Sequence, residues 1–404
     1  MPSVHSAAAL LSCDLQGAED TLEYLLDAHL LEQPEMGRYG VHDLVRAYAT
    51  TLHGDGDNTD SREAVRRLVS YYVTASGAAC DLLFPGRTWY DGDGGDTGRR
   101  PCRLPDMTAR EQALGWFGRE HEALHAVLER AAEHGLHHDV VVLARNHLRY
   151  LNLRGHHEES SEIGRLAVTS ARHLGDPVLL RRSLADLAIA HWWMGAFPEG
   201  VVAAEEALRL APDSVHRPTQ ALCLDALGLL LSALGDFERA RACLEQGIAL
   251  HREIGVAGGE AEALSHLSSV LAWTGRYADA ARHAARATEL NRRLGDRRNE
   301  ITSLTSLALS QLGLGEDDRA RACLARALDL CDERLQPGDV AFARAHWARL
   351  CQRLGQHRTA AEYADHAMEL VMISPTTRAR VAEGEPTRGM TSPPCPDVTA
   401  SGKA

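Results

Sequence analysis

From about residue 140 to residue 373, small and apolar positions recur every 40 residues. Glycines stand at Gly155, Gly195, Gly235, Gly275, Gly315 and Gly355. Twelve residues after each come Ala167, Ala207, Gly247, Ala287, Ala327 and Ala367; five after come Ser160, Gly200, Ala240, Ala280, Ala320 and Ala360. Seven before each stand Leu148, Ala188, Gly228, Ser268, Ala308 and Ala348. The four middle copies add leucines at Leu184, Leu224, Leu264 and Leu304, and at Leu187, Leu227, Leu267 and Leu307. Apolar residues three and four apart mark one face of a helix. Small residues at fixed places let two helices approach closely, and a glycine supplies the turn between them, where a positive φ costs least. Each copy therefore predicts two helices; the second reads clearly in Arg276-Tyr277-Ala278-Asp279-Ala280-Ala281-Arg282-His283-Ala284, and Leu294-Gly295-Asp296 opens the next copy.

These columns resemble the tetratricopeptide repeat, whose small residue in the first helix and two alanines in the second fall on the same positions. Its late proline is matched only at Pro212. The usual period is about 34 residues, so about six extra residues lengthen the helices or the loops between copies. The outer copies carry His147 and Trp347 in place of the leucine, as capping repeats do. The resemblance implies a stack of helix pairs whose first helices line a concave binding face. His191, Trp192, Trp193 and Trp273 lie near the ends of first helices. One of the Trp192–Trp193 pair is expected in the core. The other, with Trp273, is a candidate partner-binding anchor.

Residues 19–50 follow a different pattern. Glu19 to Leu31 reads as an amphipathic helix with Leu22, Leu25, Leu26 and Leu30 on one side. Residues 32–41 read as a hairpin turning near Pro34–Gly37, and His42-Asp43-Leu44-Val45-Arg46-Ala47-Tyr48-Ala49 starts another helix, with Asp43 favourable in its first turn. Helix, hairpin, helix is the ending of a winged helix. The strings Asp27-Ala28-His29-Leu30-Leu31, Gly37-Arg38-Tyr39 and Val41-His42-Asp43-Leu44-Val45-Arg46-Ala47-Tyr48-Ala49 resemble the winged-helix domain of NB-ARC-type switch ATPases. More narrowly they resemble the actinobacterial regulators called Streptomyces antibiotic regulatory proteins. So do Tyr71-Tyr72, Leu82-Leu83-Phe84-Pro85, and Trp116-Phe117 followed by Glu120 and Leu124. Large members join a DNA-binding domain, an NB-ARC ATPase and tetratricopeptide repeats. The resemblance implies that the histidine of Val41-His42-Asp43 is a nucleotide sensor on the ADP phosphate, with valine where the family has methionine. The plainer reading of His42 is a helix-start histidine that packs locally.

The expected organisation is all-α: a winged-helix remnant over residues 1–53, a helical connector over 54–139, a tetratricopeptide-like solenoid over 140–373, and a disordered tail over 374–404, rich in Pro, Thr, Ser and Gly. The sequence contains no GxxxxGK[ST] phosphate loop; its Gly-Lys pair is Gly402-Lys403. The expectation is a truncated or split regulator with no cofactor of its own, ADP or ATP entering only through a separate or missing ATPase domain.

Composition narrows the choices. The chain has 404 residues, of which 45% are hydrophobic and only 5% aromatic, which suits closely packed helices. Net charge is -13. Residues 1–53 hold eight acidic residues against two basic ones, Arg38 and Arg46, so this winged helix is not read as a DNA-binding surface. In the resembled ATPases it acts as a regulatory lid. Nine cysteines without a CxxC pair read as small buried residues in a reducing cytosol. Ala7-Ala8-Ala9-Leu10-Leu11 is short, lacks a basic start and makes a poor leader. No stretch approaches the roughly 18 apolar residues of a membrane span. The chain is read as cytoplasmic.

One string points to an enzyme. His121-Glu122-Ala123-Leu124-His125 is HExxH, whose spacing sets two histidines on one helix face for zinc with Glu122 as base. Arg119 stands where zinc-protease helices have an uncharged residue, and no HxxGxxH continuation follows. The doublets His137-His138 and His156-His157 read as solvated turn residues. Asp91, Asp93 and Asp96 suggest a calcium loop without its closing glutamate. The leading reading is therefore a regulatory scaffold, not an enzyme, whose repeats hold a protein partner or small signal and whose ATPase and DNA-binding parts lie on a separate or missing segment. The alternatives are a free-standing repeat adaptor and, remotely, a zinc hydrolase at His121 and His125.

Overall fold

A computed structural model describes residues 3–52, 59–84, 103–210, 217–331 and 337–372. The tail over 374–404, the aspartate loop at 91–96 and most of the 54–60 loop lie outside them. The described residues form seventeen helices and one two-stranded hairpin. They group into two compact units. One lies within Met1–Leu83, Asp91–Tyr150 and Thr169–Gly175; the other lies within Phe84–Tyr90, Leu151–Val168 and Asp176–Ala404. Among the described residues no helix is long and apolar enough to cross a membrane.

The first unit opens with α1 (Val4–Leu11), capped by Ser3 and Ser6, whose side chains bond each other's backbone amides. The alanine run judged only as a leader is thus a helix that buries Ala7 and Ala8. Helix α2 (Leu15–Asp27) starts four residues earlier than the leucine pattern suggests. Asp14 caps it, accepting from the Gly17 amide at 2.8 Å. It also stops earlier, because His29 turns the chain at φ 56. Strands β1 (Glu32–Glu35) and β2 (Arg38–Gly40) pair antiparallel around a turn at Met36–Gly37, with Gly37 at φ +74. Tyr39 joins Ala7, Ala8, Ala18 and Leu22 in a small core. Helix α3 (Asp43–Leu52) follows.

Two long helices complete the frame of this unit, α4 (Thr59–Leu83) and α5 (Arg110–Glu133). Glu120 of α5 is 2% exposed. It accepts from Arg38 of β2 at 2.5 Å and from the Tyr72 hydroxyl of α4 at 2.7 Å. Three residues from three of the resembling strings therefore meet at one buried carboxylate. Around it, Tyr71 packs edge-on to Tyr72, Trp116 edge-on to Phe117, and Phe117 stacks on Tyr150 at 4.9 Å.

The repeats run as helix pairs: α6 (His137–Arg154) and α7 (His157–Leu174), α8 (Pro177–Met194) and α9 (Phe197–Arg209), α10 (Arg217–Ala233) and α11 (Phe237–Glu253), then α12 (Ala257–Trp273) and α13 (Tyr277–Leu294). The last pairs are α14 (Arg297–Leu314) with α15 (Asp317–Leu330), and α16 (Pro337–Arg353) with α17 (His357–Met372). Every glycine of the 40-residue column takes a positive φ, from Gly155 to Gly355. The amide after it bonds back five residues: Ala196 to His191, Asp236 to Leu231, Arg276 to Leu271, Glu316 to Gln311 and Gln356 to Cys351. That bond closes the open end of each first helix. A second set, at Gly175, Gly255 and Gly295, ends second helices in the same way, so the turns fall every 20 residues along much of the stack.

The small columns mark helix–helix contact. A Cβ on Gly228 would lie 2.6 Å from Leu244 and 3.2 Å from the Ala240 carbonyl. Ser268 of α12 donates to the Ala280 carbonyl of α13, the second helix of the same pair, at 2.9 Å. First helices of the second unit also pack on one another, α8 on α10, α10 on α12, α12 on α14 and α14 on α16. They occupy the tight, inner side of the stack.

The polar groups buried between these helices include an arginine and a histidine–aspartate pair. Arg181, 1% exposed, donates from Nε to the Ala207 carbonyl at 2.9 Å and from a terminal nitrogen to Leu208 at 3.5 Å, capping the short helix α9. His251 of α11 meets Asp225 of α10, Nε2 to Oδ2, at 2.7 Å. Burial pushes the Asp225 carboxyl upward, and the hydrogen bond to His251 opposes it. Two glycines make room for this pair: a Cβ on Gly247 would overlap Asp225, and one on Gly259 would overlap the His251 ring. Glycine to alanine inside a helix ordinarily stabilises by about 1 kcal/mol. At Gly259 the sign should reverse, with Gly259→Ala costing about 1–3 kcal/mol through overpacking. Gly77 of α4, whose Cβ would meet nothing nearer than 3.9 Å, is the control, and Gly77→Ala should stabilise. Urea unfolding of both variants reads the difference; equal effects would refute the crowding at His251.

Candidate functional site: the inner face of the repeats

Residues on the inner side repeat every 40 positions like the rest. One register of the first helices, two residues before the turn glycine, reads Trp193, Ala233, Trp273, Gly313 and Arg353. The two tryptophans of the sequence expectation and an arginine thus share a row. The structure places Trp192 and Trp193 both half-buried. Trp192 packs against the main core, while Trp193 stacks on His157 with ring centres 5.1 Å apart and planes 3° apart. The Trp192 ring meets Trp193 edge-on at 4.7 Å. Arg298 of α14 lies over Trp193, 5.9 Å from its centre. Trp273 is half-buried beside Phe237, 6.0 Å away.

His157 corrects the reading of the histidine doublets as solvated. It is 3% exposed, and its Nδ1 has no hydrogen-bond partner. As first residue of α7 it turns beneath Trp193 rather than into water. Burial, then the nearby charges of His156 and Arg298, lower its pKa to about 4.

At the other end of the row lies an open depression of about 300 Å³. Leu309 and Leu312 floor it, Tyr277 walls it, and Arg349, Gln352 and Arg353 rim it. Gly313 is required here, since a Cβ would overlap the Tyr277 ring. Arg353 is held by the Leu312 carbonyl at 2.7 Å and by Asp317 at 3.1 Å.

The other candidates go elsewhere. His42 is exposed and caps α3: its Nδ1 accepts from the Leu44 amide at 3.3 Å, and its carbonyl accepts from the Arg46 amide at 2.9 Å. In the HExxH string His121 turns to the buried His147, Nδ1 to Nε2 at 3.3 Å, while His125 lies 3.6 Å from Glu129 on its own helix. Buried Cys80 and Cys223 have thiols pushed up to about 12 by desolvation, which leaves them poor nucleophiles.

The tetratricopeptide repeat family matches residues 180–253 and 259–333. The regulatory protein AfsR of Streptomyces griseus is 30% identical over 341 residues, covering 83% of this chain and 33% of that protein. AfsR of Streptomyces coelicolor is 28% identical over 288 residues, covering 69% of this chain and 28% of that one. The chain thus spans about a third of the length of these relatives. Among solved structures, a Rap protein complexed with competence and sporulation factor shares the fold, with a TM-score of 0.53 and 12% identity over 84% of this chain and 93% of that one.

The buried His157 makes stability depend on pH. Below pH 6.5 the unfolded chain takes up a proton that folded His157 refuses until about pH 4. Its contribution is whole above pH 6.5 and is lost as pH falls toward 4, by about 3 kcal/mol at full extent. His5, His191 and His283 are lowered as well, so the readout is a difference. His157→Phe keeps a flat ring and should unfold in urea with a shallower acid dependence than the unaltered chain. Parallel pH profiles would refute a neutral His157.

Proposed function

Since the chain is homologous to the AfsR regulatory proteins and carries tetratricopeptide repeats, we propose that it is the sensing and scaffolding arm of a transcriptional regulator of that kind. The observation that carries this reading is the reach of the AfsR identity, 341 residues, well beyond the two matched repeat segments. The regulated process in this proposal is specialised metabolism, and the compartment is the cytoplasm. The inner face holds a protein partner or a small signal. A Rap protein of like fold is complexed with competence and sporulation factor, which supports looking to the repeats for a bound partner or signal.

In this reading the N-terminal unit couples the repeats to an ATPase and DNA-binding part supplied outside this sequence. His42 then meets a nucleotide phosphate only in the company of that part, and otherwise remains the cap of α3. Titration of the isolated chain with ADP should give no micromolar binding by calorimetry. A micromolar affinity that disappears in His42→Ala would overturn this division of labour.

The partner site is tested with the full chain. Immobilised chain should retain a partner from an extract of the source cells, and the double variant Trp193→Ala, Trp273→Ala should lose it by tenfold or more while its helical circular dichroism persists. Undiminished retention by the double variant would move the partner off the inner face.

A further inference from the structure

Arg298 belongs to the first turn of α14, in the fifth helix pair, and Trp193 to the last turn of α8, in the second. First helices otherwise pack on their immediate neighbours along the stack. The approach of Arg298 to the Trp193 ring, at 5.9 Å, therefore crosses the inner face instead of following it. The ring is held ready for a cation. His157 backs it as a parallel plate, Trp192 fixes its edge, and both contacts keep it from turning into the core. A neutral His157 does not repel a guanidinium placed beside it, and Trp is the strongest of the aromatic cation acceptors. Arg298 itself is half-buried and reaches the ring on a long flexible stem.

We propose that the Trp193 ring is a binding site for an arginine or lysine side chain of a partner polypeptide, and that Arg298 is its resident occupant. The proposal rests on the inner face being the partner surface and adds the chemistry of what it recognises. The net charge of -13 points the same way, since it draws basic segments to this chain. Arg298 then sets the threshold for binding: a partner cation enters by displacing a tethered one, and only a segment with further contacts along the row, toward Trp273 and the Tyr277 depression, does so at low concentration.

The test uses the full chain and a short glycine peptide bearing one arginine, against the same peptide bearing citrulline. Binding is followed by calorimetry and by the indole N–H resonance of Trp193. Arg298→Ala should bind the arginine peptide about tenfold more tightly than the unaltered chain, within the range of a cation–π contact. Arg298→Lys should stay near the unaltered chain, and the citrulline peptide should bind weakly throughout. Adding Trp193→Leu to Arg298→Ala should abolish the gain; the leucine keeps an apolar side chain so that folding is retained, as circular dichroism will verify. Equal affinities of the unaltered chain and Arg298→Ala, or equal binding of arginine and citrulline peptides, would overturn the proposal. Partner capture lost in the tryptophan variants without arginine discrimination would refute the cation site while leaving the inner-face reading standing. Discrimination without any captured partner would support the site and count against the sensing role.

Discussion

Two backbones can approach closely only where no side chain stands between them, and this constraint sets the metre of the repeats. Gly200, Gly228, Ser268 and the alanines of the same columns mark the closest approaches. Each helix must then end and reverse within the next few residues, which the left-handed glycines accomplish by closing the open carbonyls. Contact and reversal together fix a turn every 40 residues, with a second set between them along much of the stack, and the fixed turn places Trp193, Trp273 and Arg353 in a single row. The chemistry of the inner face is a by-product of a rule about helix spacing.

Polar groups buried within this apolar frame select one register over its alternatives. Arg38 and Tyr72 converge on Glu120 in the first unit; Asp225 meets His251 in the second. A buried carboxylate without its partner is far costlier than a misplaced leucine, so a slipped pairing is penalised steeply. Arg181 plays the same part for α9, whose last carbonyls would otherwise face a dry interior. The helices supply cohesion, and these few pairs supply uniqueness.

The parts of the fold that rest on local repetition were legible in the sequence. The 40-residue columns, the turn glycines and the hairpin before Asp43 all follow from residues near one another in the chain. Boundaries set by a single capping residue, Asp14 or Ser3, were not, because one polar side chain carries no periodicity. Gly247 and Gly259 looked like ordinary small residues, since their reason lies in a side chain on another helix. His157 looked like a turn histidine because its stacking partner is Trp193, thirty-six positions away. The Arg298 contact was the least visible, since nothing in a one-dimensional pattern says which two rows of a curved stack face each other. Arg353 alone had an unused signal: it stands two repeat steps beyond Trp273.

Because every first helix ends at a glycine in the same left-handed conformation, one whole copy can in principle be inserted or removed without disturbing its neighbours. The contact between Arg298 and Trp193 does not share that freedom. It spans a set number of copies, and a single insertion between α8 and α14 would carry the cation a full row past the ring. The pair is therefore a gauge of groove length: drift in copy number, harmless to the stack itself, is registered at this one ring.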